Sequence, residues 1–424
     1  MTDSALAALL LVQLTVILGT CRGLGWVFAR VRQPLVVAEM VAGFLLGPSF
    51  LGWVAPTLQV RLFPPASQQT LFVLSQVGLV LYMFCVGLEF RMDLVTRYWR
   101  RAVGVSAAGI LAPFALGSAL AVAMLQFGGF FADQVRPFHA VLFLGAAMSI
   151  TAFPVLARII SERGIAGTMI GSLALAAGAM GDAAAWIILA IVLSSFTGNA
   201  QLAIAAAGGA ALYVAVVFAG VPRLLRPLAA AAERTDAVRP STYVTVLCLL
   251  ASGAWFTDFI GIHSVFGAFM LGVSVPRGVL SRELRRITEP LTMALFVPLF
   301  FVYSGLNTRL MLLDSAALWT MTAAVFLTAC VAKGVACWAA ARLSGAPQKQ
   351  ALAIGTLMNA RGLVELILAN IGLQRGLITP TLFVILVLMA IGTTVMTGPL
   401  FSLIWQRKDT AVEADPWLAT GRTP

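Results

Sequence analysis

The sequence predicts an all-α polytopic membrane protein of about 13 transmembrane helices, an inverted repeat with two crossed discontinuous helices. Three observations carry this reading. The chain has 424 residues, 60% of them hydrophobic and only 11% charged, with a mean hydropathy of +0.95, which excludes an ordinary soluble protein. Its positive residues fall on alternate connections between apolar spans. Two spans in corresponding positions carry residues that a continuous apolar helix would not hold.

Apolar stretches place the helices near 5–28, 33–53, 68–90, 102–126, 136–159, 165–196, 200–221, 241–258, 262–279, 287–306, 315–341, 348–374 and 380–405. No Lys or Arg precedes Arg22, so the first stretch lacks the basic start of a signal peptide and is expected to remain as a helix. Arg30 and Arg32 follow the first helix, and Arg91, Arg97, Arg100 and Arg101 the third. Arg158 and Arg163 close the fifth, and Arg223, Arg226, Arg234 and Arg239 follow the seventh. After the ninth come Arg277, Arg282, Arg285 and Arg286; after the eleventh, Arg342 and Lys349; after the thirteenth, Arg407 and Lys408. The opposite connections hold only Arg61, Arg136, Arg309 and Arg375. This bias sets the N-terminus outside and the C-terminus in the cytoplasm, an arrangement that requires an odd number of helices. The net charge of +11 is thereby topogenic, and no nucleic-acid partner is expected. The five cysteines lie inside spans without metal-ligand spacing and read as small apolar residues.

Between Gly164 and Asn199 the only charged residue is Asp182. A helix crosses the hydrocarbon core in about 20 residues, so this carboxylate lies near mid-depth, where a charge costs roughly 2.5–3.5 kcal/mol. Intramembrane carboxylates mark ion and proton pathways. A structural Asp held by hydrogen bonds or a buried cation is the alternative, but Gly178, Gly181 and Ala183–Ala185 leave room for a ligand.

The long polar connection from Arg223 to Pro240 divides the chain between helices seven and eight. A repeat offset by seven helices has inverted topology, because an odd offset reverses every crossing. The fifth span carries Ser149–Ile150–Thr151–Ala152–Phe153–Pro154 in its interior, and the twelfth carries Asn359–Ala360–Arg361–Gly362 followed by Glu365. Five and twelve differ by seven, and paired interrupted helices in inverted halves point to a transporter's central site. Alone, Pro154 reads as an ordinary kink, and Arg361 with Glu365 as an i,i+4 ion pair.

At these residues the chain resembles the monovalent cation:proton antiporter-2 family, which includes plant cation/H+ exchangers and bacterial potassium-efflux antiporters. The resemblance rests on Gln33–Pro34 to Glu39 with Gly43–Ser49, on Thr151–Arg158 continuing to Asp182 and Trp186, on Gly261–Phe269, and on Asn359–Leu366. It implies a sodium/proton antiporter-like fold in a membrane domain over 1–406, with 407–424 as a short tail. It further implies a scaffold (about 5–90 and 241–306) that dimerises and a moving core (about 102–196 and 315–405). It implies exchange of K+ or Na+ for protons across a cell membrane, bacterial inner membrane being the expected location, with no cofactor. Two departures stand out. Gly181 occupies the position where family members place Asn, Gln or a second Asp, and the stretch after Gln406 is too short for an appended regulatory domain.

The chemistry expected at the site is competition. A proton or a monovalent cation neutralises Asp182, and the site crosses the barrier when neutralised by either. Oxygen ligands beside Asp182 are expected from Ser149 and Thr151, and from carbonyls freed at the two breaks. Asn359 either adds an oxygen or caps the broken helix. Arg361 is expected to balance helix C-terminal dipoles and Glu365 as supporting structure. Lys333, in the eleventh span, either pairs with Asp182 or snorkels towards the cytoplasm. Glu39 and Glu89 read as interface or packing groups, Asp258 and His263 as a solvated pair. Pro154 and Gly362 mark the helix breaks. A sodium-coupled organic-anion symporter is the alternative reading, although one buried Asp fits a small cation better. A channel would conduct far faster than an exchanger turns over. An enzyme is disfavoured by only two histidines and no His-Glu-x-x-His or Gly-x-Ser-x-Gly motif.

Overall fold

The computed structural model describes residues 3–30, 33, 35–90, 92–165, 168–197, 200–261, 263–306 and 312–405. Among them regular structure is helical, apart from one isolated antiparallel bridge between Phe131 and Ile378. In chain order the helices are α1 Asp3–Arg30, α2 Leu35–Leu46, α3 Leu51–Val54, α4 Pro56–Leu62, α5 Pro65–Glu89 and α6 Met92–Phe127. The fifth span is divided into α7 Pro137–Ser149 and α8 Phe153–Glu162. Then follow α9 Met169–Thr197, α10 Ala200–Thr235, α11 Pro240–Phe259, α12 Ser264–Ser274, α13 Val279–Leu291 and α14 Val297–Leu306. Last come α15 Ala316–Leu343, the divided pair α16 Gln348–Leu357 and α17 Leu363–Gln374, and α18 Pro380–Ile404. Nine helical spans among the described residues are long and apolar enough to cross a bilayer, two of them, Leu35–Val54 and Val279–Tyr303, built from consecutive elements. Leu11, Leu111, Trp255 and Leu327 are exposed on these helices, as a lipid-facing surface requires.

The chain forms two compact units, one of Met1–Gly23, Ala42–Met92 and Leu189–Asn307, the other of Leu24–Val41, Asp93–Ile188 and Thr308–Pro424. In the first, helices approach through small residues, the membrane's route to close backbone packing. A Cβ on Gly87 of α5 would come within 2.9 Å of Gly272 Cα on α12. Tyr213 of α10 donates its hydroxyl to the Gly267 carbonyl at 2.8 Å.

This unit corrects the expected connection after helix seven. That segment is helical as far as Thr235, because its alanine run favours helix and its acidic residues have partners. Glu233 Oε1 accepts from the Val279 amide at 2.7 Å, capping α13, and Asp236 pairs with Arg282 at 2.6 Å. The tenth span likewise begins earlier than expected, as the amphipathic α13: Leu280 and Leu284 are buried while Arg282 is exposed. A π-turn, Thr292–Phe296, joins α13 to α14 just after Pro290. Glu89 forms an ion pair with Arg285, which also binds Glu289 at 2.8 Å.

In the second unit, α6 lies against α7, where a Cβ on Gly117 would approach the Met148 side chain to 2.7 Å. α15 meets α16 at Gly334 and Gly355 and α18 at Phe326 and Gly392. Gln33 reaches the Val395 carbonyl at 3.0 Å, and Arg163 the Gly398 carbonyl at 3.2 Å.

Candidate functional site

Both interruptions lie in the second unit and bind each other. α7 ends at Ser149, Ile150 turns extended (φ −66°, ψ 139°), and α8 begins at Phe153. Pro154 occupies the first turn of α8, where its missing N–H costs no helical hydrogen bond. The Ala152 amide donates to the Ala360 carbonyl at 3.1 Å, joining one break to the other. Gly362 precedes α17 with φ 153° and ψ −108°, a conformation that suits glycine. A Cβ there would also lie 3.3 Å from Val155 Cγ2.

Four broken ends leave unpaired backbone groups inside a membrane unit, where each must find a partner. The carbonyl end of α7 receives two cations. Arg361 donates to Met148 O at 2.7 Å and to Ala147 O at 3.3 Å, and Lys333 donates to Ser149 O. Both side chains are completely buried. Arg361 also reaches Ala329 O on α15 at 3.4 Å. Its distance to Glu365 Oε1 is 3.6 Å, close enough for ionic attraction but too long for a hydrogen bond. Arg361 is therefore first a cap for α7 and second a partner of Glu365. The snorkelling alternative for Lys333 is excluded: with no exposure, its ammonium sits on a helix end.

Ser149 differs from its expected role in one respect. Its hydroxyl donates back to Gly145 O and Ala146 O, both at 2.9 Å, and its carbonyl is taken by Lys333, so any ligation falls to a hydroxyl lone pair. The Asn359 side chain caps neither half-helix, although its backbone N–H donates to Thr356 O at the end of α16: Gly362 is the N-cap of α17 and Met358 the C-cap of α16. The Asn359 amide donates to Cys330 O on α15 at 3.3 Å, while its buried Oδ1 has no hydrogen-bond partner among the described residues.

Asp182 lies in α9 with 2% of its surface exposed. Four residues earlier on the same helix face, a Cβ on Gly178 would meet Leu156 at 2.6 Å and Phe153 at 3.4 Å, so α9 packs on the first turn of α8. At Gly181 a Cβ would lie 3.5 Å from Ser106 Oγ and 4.0 Å from Thr151 Oγ1. Gly181, the residue before Asp182, therefore stands level with the first break, close to two hydroxyls.

Two residues were not singled out from the sequence. Ser106 is buried on α6 beside Gly181; a serine among small residues of an apolar span carries little signal. Thr394 on α18 accepts from the Arg361 amide at 3.1 Å and donates to the Arg361 carbonyl at 2.5 Å. Its signal was available as the paired Thr393–Thr394 following the apolar run Leu382–Gly392.

Crossed half-helices with a buried carboxylate at the break define a membrane carrier built for a small charged ligand. The chain belongs to the sodium/hydrogen exchanger transmembrane family, whose sequence profile matches residues 14–407. It is 37% identical over 408 residues to the Na+/H+ antiporter NhaS4 of Synechocystis sp., covering 95% of this chain and 98% of that protein. It is 38% identical over 417 residues to cation/H+ antiporter 17 of Arabidopsis thaliana, covering 96% of this chain but only 50% of the plant protein. The structure of the sodium proton antiporter MjNhaP1 from Methanocaldococcus jannaschii matches with a TM-score of 0.64 at 15% identity. That match covers 95% of this chain and 99% of the archaeal one, a likeness of fold.

Proposed function

We propose that this protein is a secondary active transporter exchanging a monovalent cation for protons by alternating access, with Asp182 as the shared site. The observation that carries the reading is the burial of Asp182 on α9, which packs on the first helix break one turn earlier, at Gly178. A carboxylate so enclosed is costly when charged and alone, and a proton or a cation relieves that cost equally. Thr151, Ser149 and Asn359 supply neutral oxygens. Lys333 and Arg361 hold the carbonyl end of α7 in place, and Glu365 tempers the charge of Arg361. The core of about 102–196 and 315–405, which holds the site, moves, and the scaffold of about 5–90 and 241–306 pairs two copies. The protein sits in a bacterial inner membrane, N-terminus outside and C-terminus in the cytoplasm, as the basic connections direct.

The test is cation-dependent proton flux in proteoliposomes with K+, Na+ and Li+. Wild-type protein is expected to move protons against an imposed cation gradient, and Asp182→Asn to abolish that flux while remaining folded. The amide is nearly isosteric but neither binds the proton nor neutralises the cation. Flux near the wild-type level in Asp182→Asn would refute the assignment.

A further inference from the structure

Gly181 is a buried helical glycine that packing does not require. Other buried glycines of the same unit are needed for close approach. An added Cβ would meet Cys337 Sγ at 2.7 Å from Gly109, Ser118 Oγ at 2.6 Å from Gly145 and Leu156 at 2.6 Å from Gly178. At Gly181 the nearest atoms among the described residues would be Ser106 Oγ at 3.5 Å and Thr151 Oγ1 at 4.0 Å, ordinary contact distances. Alanine fits there and would favour the helix, since glycine in a helix interior costs backbone entropy. Helix–helix packing thus gives no reason for the glycine. What it leaves, among the described residues, is room for a methyl group on the residue next to Asp182, bordered by hydroxyl oxygens from α6 and from the first break.

We propose that this volume is part of the ion site, that Ser106 is a further cation ligand within it, and that together they set a preference for K+ over Na+ and Li+. The inference rests on the exchange reading above and extends it to selectivity. The physical argument concerns field strength and size. Small cations hold their water most tightly, and a site repays that dehydration only with closely packed, strongly charged oxygens. Here one carboxylate is joined by neutral hydroxyls, Ser106 and Thr151, around a space enlarged by a missing side chain. Such a site is spacious and weak in field, and the ion it strips of water at least cost is the larger one. Ser106 enters from α6, a helix separate from those carrying the breaks and Asp182, so it closes the site on a side they do not cover.

The experiment compares apparent affinities for K+, Na+ and Li+ in proteoliposomes for wild-type, Gly181→Ala and Ser106→Ala proteins, with Asp182→Asn as the inactive reference. Wild-type protein is expected to prefer K+. Gly181→Ala is expected to melt at or above the wild-type temperature and to lose K+ affinity about tenfold, with Na+ and Li+ affinities little changed. Ser106→Ala is expected to weaken K+ by a similar factor at unchanged thermal stability. Unchanged K+ to Na+ ratios in both variants, or a wild-type protein that prefers Na+ or Li+, would overturn the inference and leave the exchange reading standing. A Gly181→Ala protein that unfolds would also overturn it, because the free volume would then be absent. Absence of wild-type flux with every cation would remove the exchange reading, and this inference with it.

Discussion

Lys333 and Arg361 come from different elements and donate to adjacent carbonyls at one helix end, Ser149 O and Met148 O. A helix C-terminus carries roughly half a negative charge. At the end of α7 that partial charge is met by two buried cations, whereas the last carbonyls of α16 are met by its own chain, through the Asn359 and Ala360 amides. The two halves of the repeat are thus alike in backbone and unlike in charge. The cationic side chains gather at the half-helix whose following link carries Thr151, close to Gly181 of α9.

Removing Arg361 exposes this arrangement to test. Arg361→Ala leaves Glu365 buried without its cation and the α7 carbonyls without a donor, and loss of one partner of a buried pair costs about 3–5 kcal/mol. Adding Glu365→Ala should restore only part of that stability, since the carbonyls remain uncapped. Thermal unfolding in detergent of the wild type, both single variants and the double variant measures the split. Full recovery in the double variant would mean that Glu365, and not the helix end, is the main partner.

Thr394 binds both backbone polar groups of Arg361 and so fixes where the guanidinium starts. Thr394→Val keeps the shape but orphans an amide and a carbonyl in a buried setting, at about 1–3 kcal/mol for each unsatisfied group. Thr394→Ser should recover most of the loss. Equal melting temperatures for the valine and serine variants would show that the hydroxyl does not matter.

How far the sequence revealed this site depends on the kind of signal each residue gives. Asp182, Lys333, Arg361 and Glu365 are legible because a charge in an apolar span is costly and therefore conspicuous. The breaks are legible because Pro154 and Gly362 restrict the backbone. What the charges touch is not legible: i,i+4 spacing suggests that Arg361 serves Glu365, while the fold turns it towards carbonyls of another helix. Ser106 is hidden for a related reason, since a hydroxyl in a membrane helix can bond its own backbone at no cost and so marks nothing by itself. The extent of α10 was obscured by Pro222 and Pro227, which lie inside the helix.

His263 offers a pH test away from the membrane interior. It sits between α11 and α12 with φ 137°, and its Nδ1 accepts from the Val265 amide at 3.4 Å. Burial pushes the imidazole below its ordinary range, with the nearby Asp258 opposing. Of the expected solvated pair, Asp258 is exposed, while the half-buried His263 ring also acts as a helix cap. A base held neutral in the folded state binds fewer protons than in the unfolded state, so stability is complete above the unfolded value near 6.5. It declines as pH falls through that value towards the folded one. Melting temperature should therefore drop as pH falls below about 6.5, and His263→Asn should flatten that part of the profile. An unchanged slope in the variant would assign the acid sensitivity elsewhere.

Exchange is expected to be electroneutral, one proton for one monovalent cation. Gly181 removes the position from which a second titrating group would flank Asp182, so one carboxylate loads and releases one proton. Lys333 and Glu365 are other buried groups able to change that count, but Glu365 lies beside Arg361 and the Lys333 ammonium donates to the Ser149 carbonyl. In that role it stays with α7 while Asp182 exchanges its ligands. With one charge moved in each direction, membrane potential does no net work on the cycle. Reversal-potential measurements in liposomes, with potential clamped at two values and a fixed pH difference, should give the same null point. A null point that moves with potential would mean a different stoichiometry. If Lys333→Gln then abolished that movement, the second proton would be located on Lys333 and its place at the helix end would be only one step of the cycle.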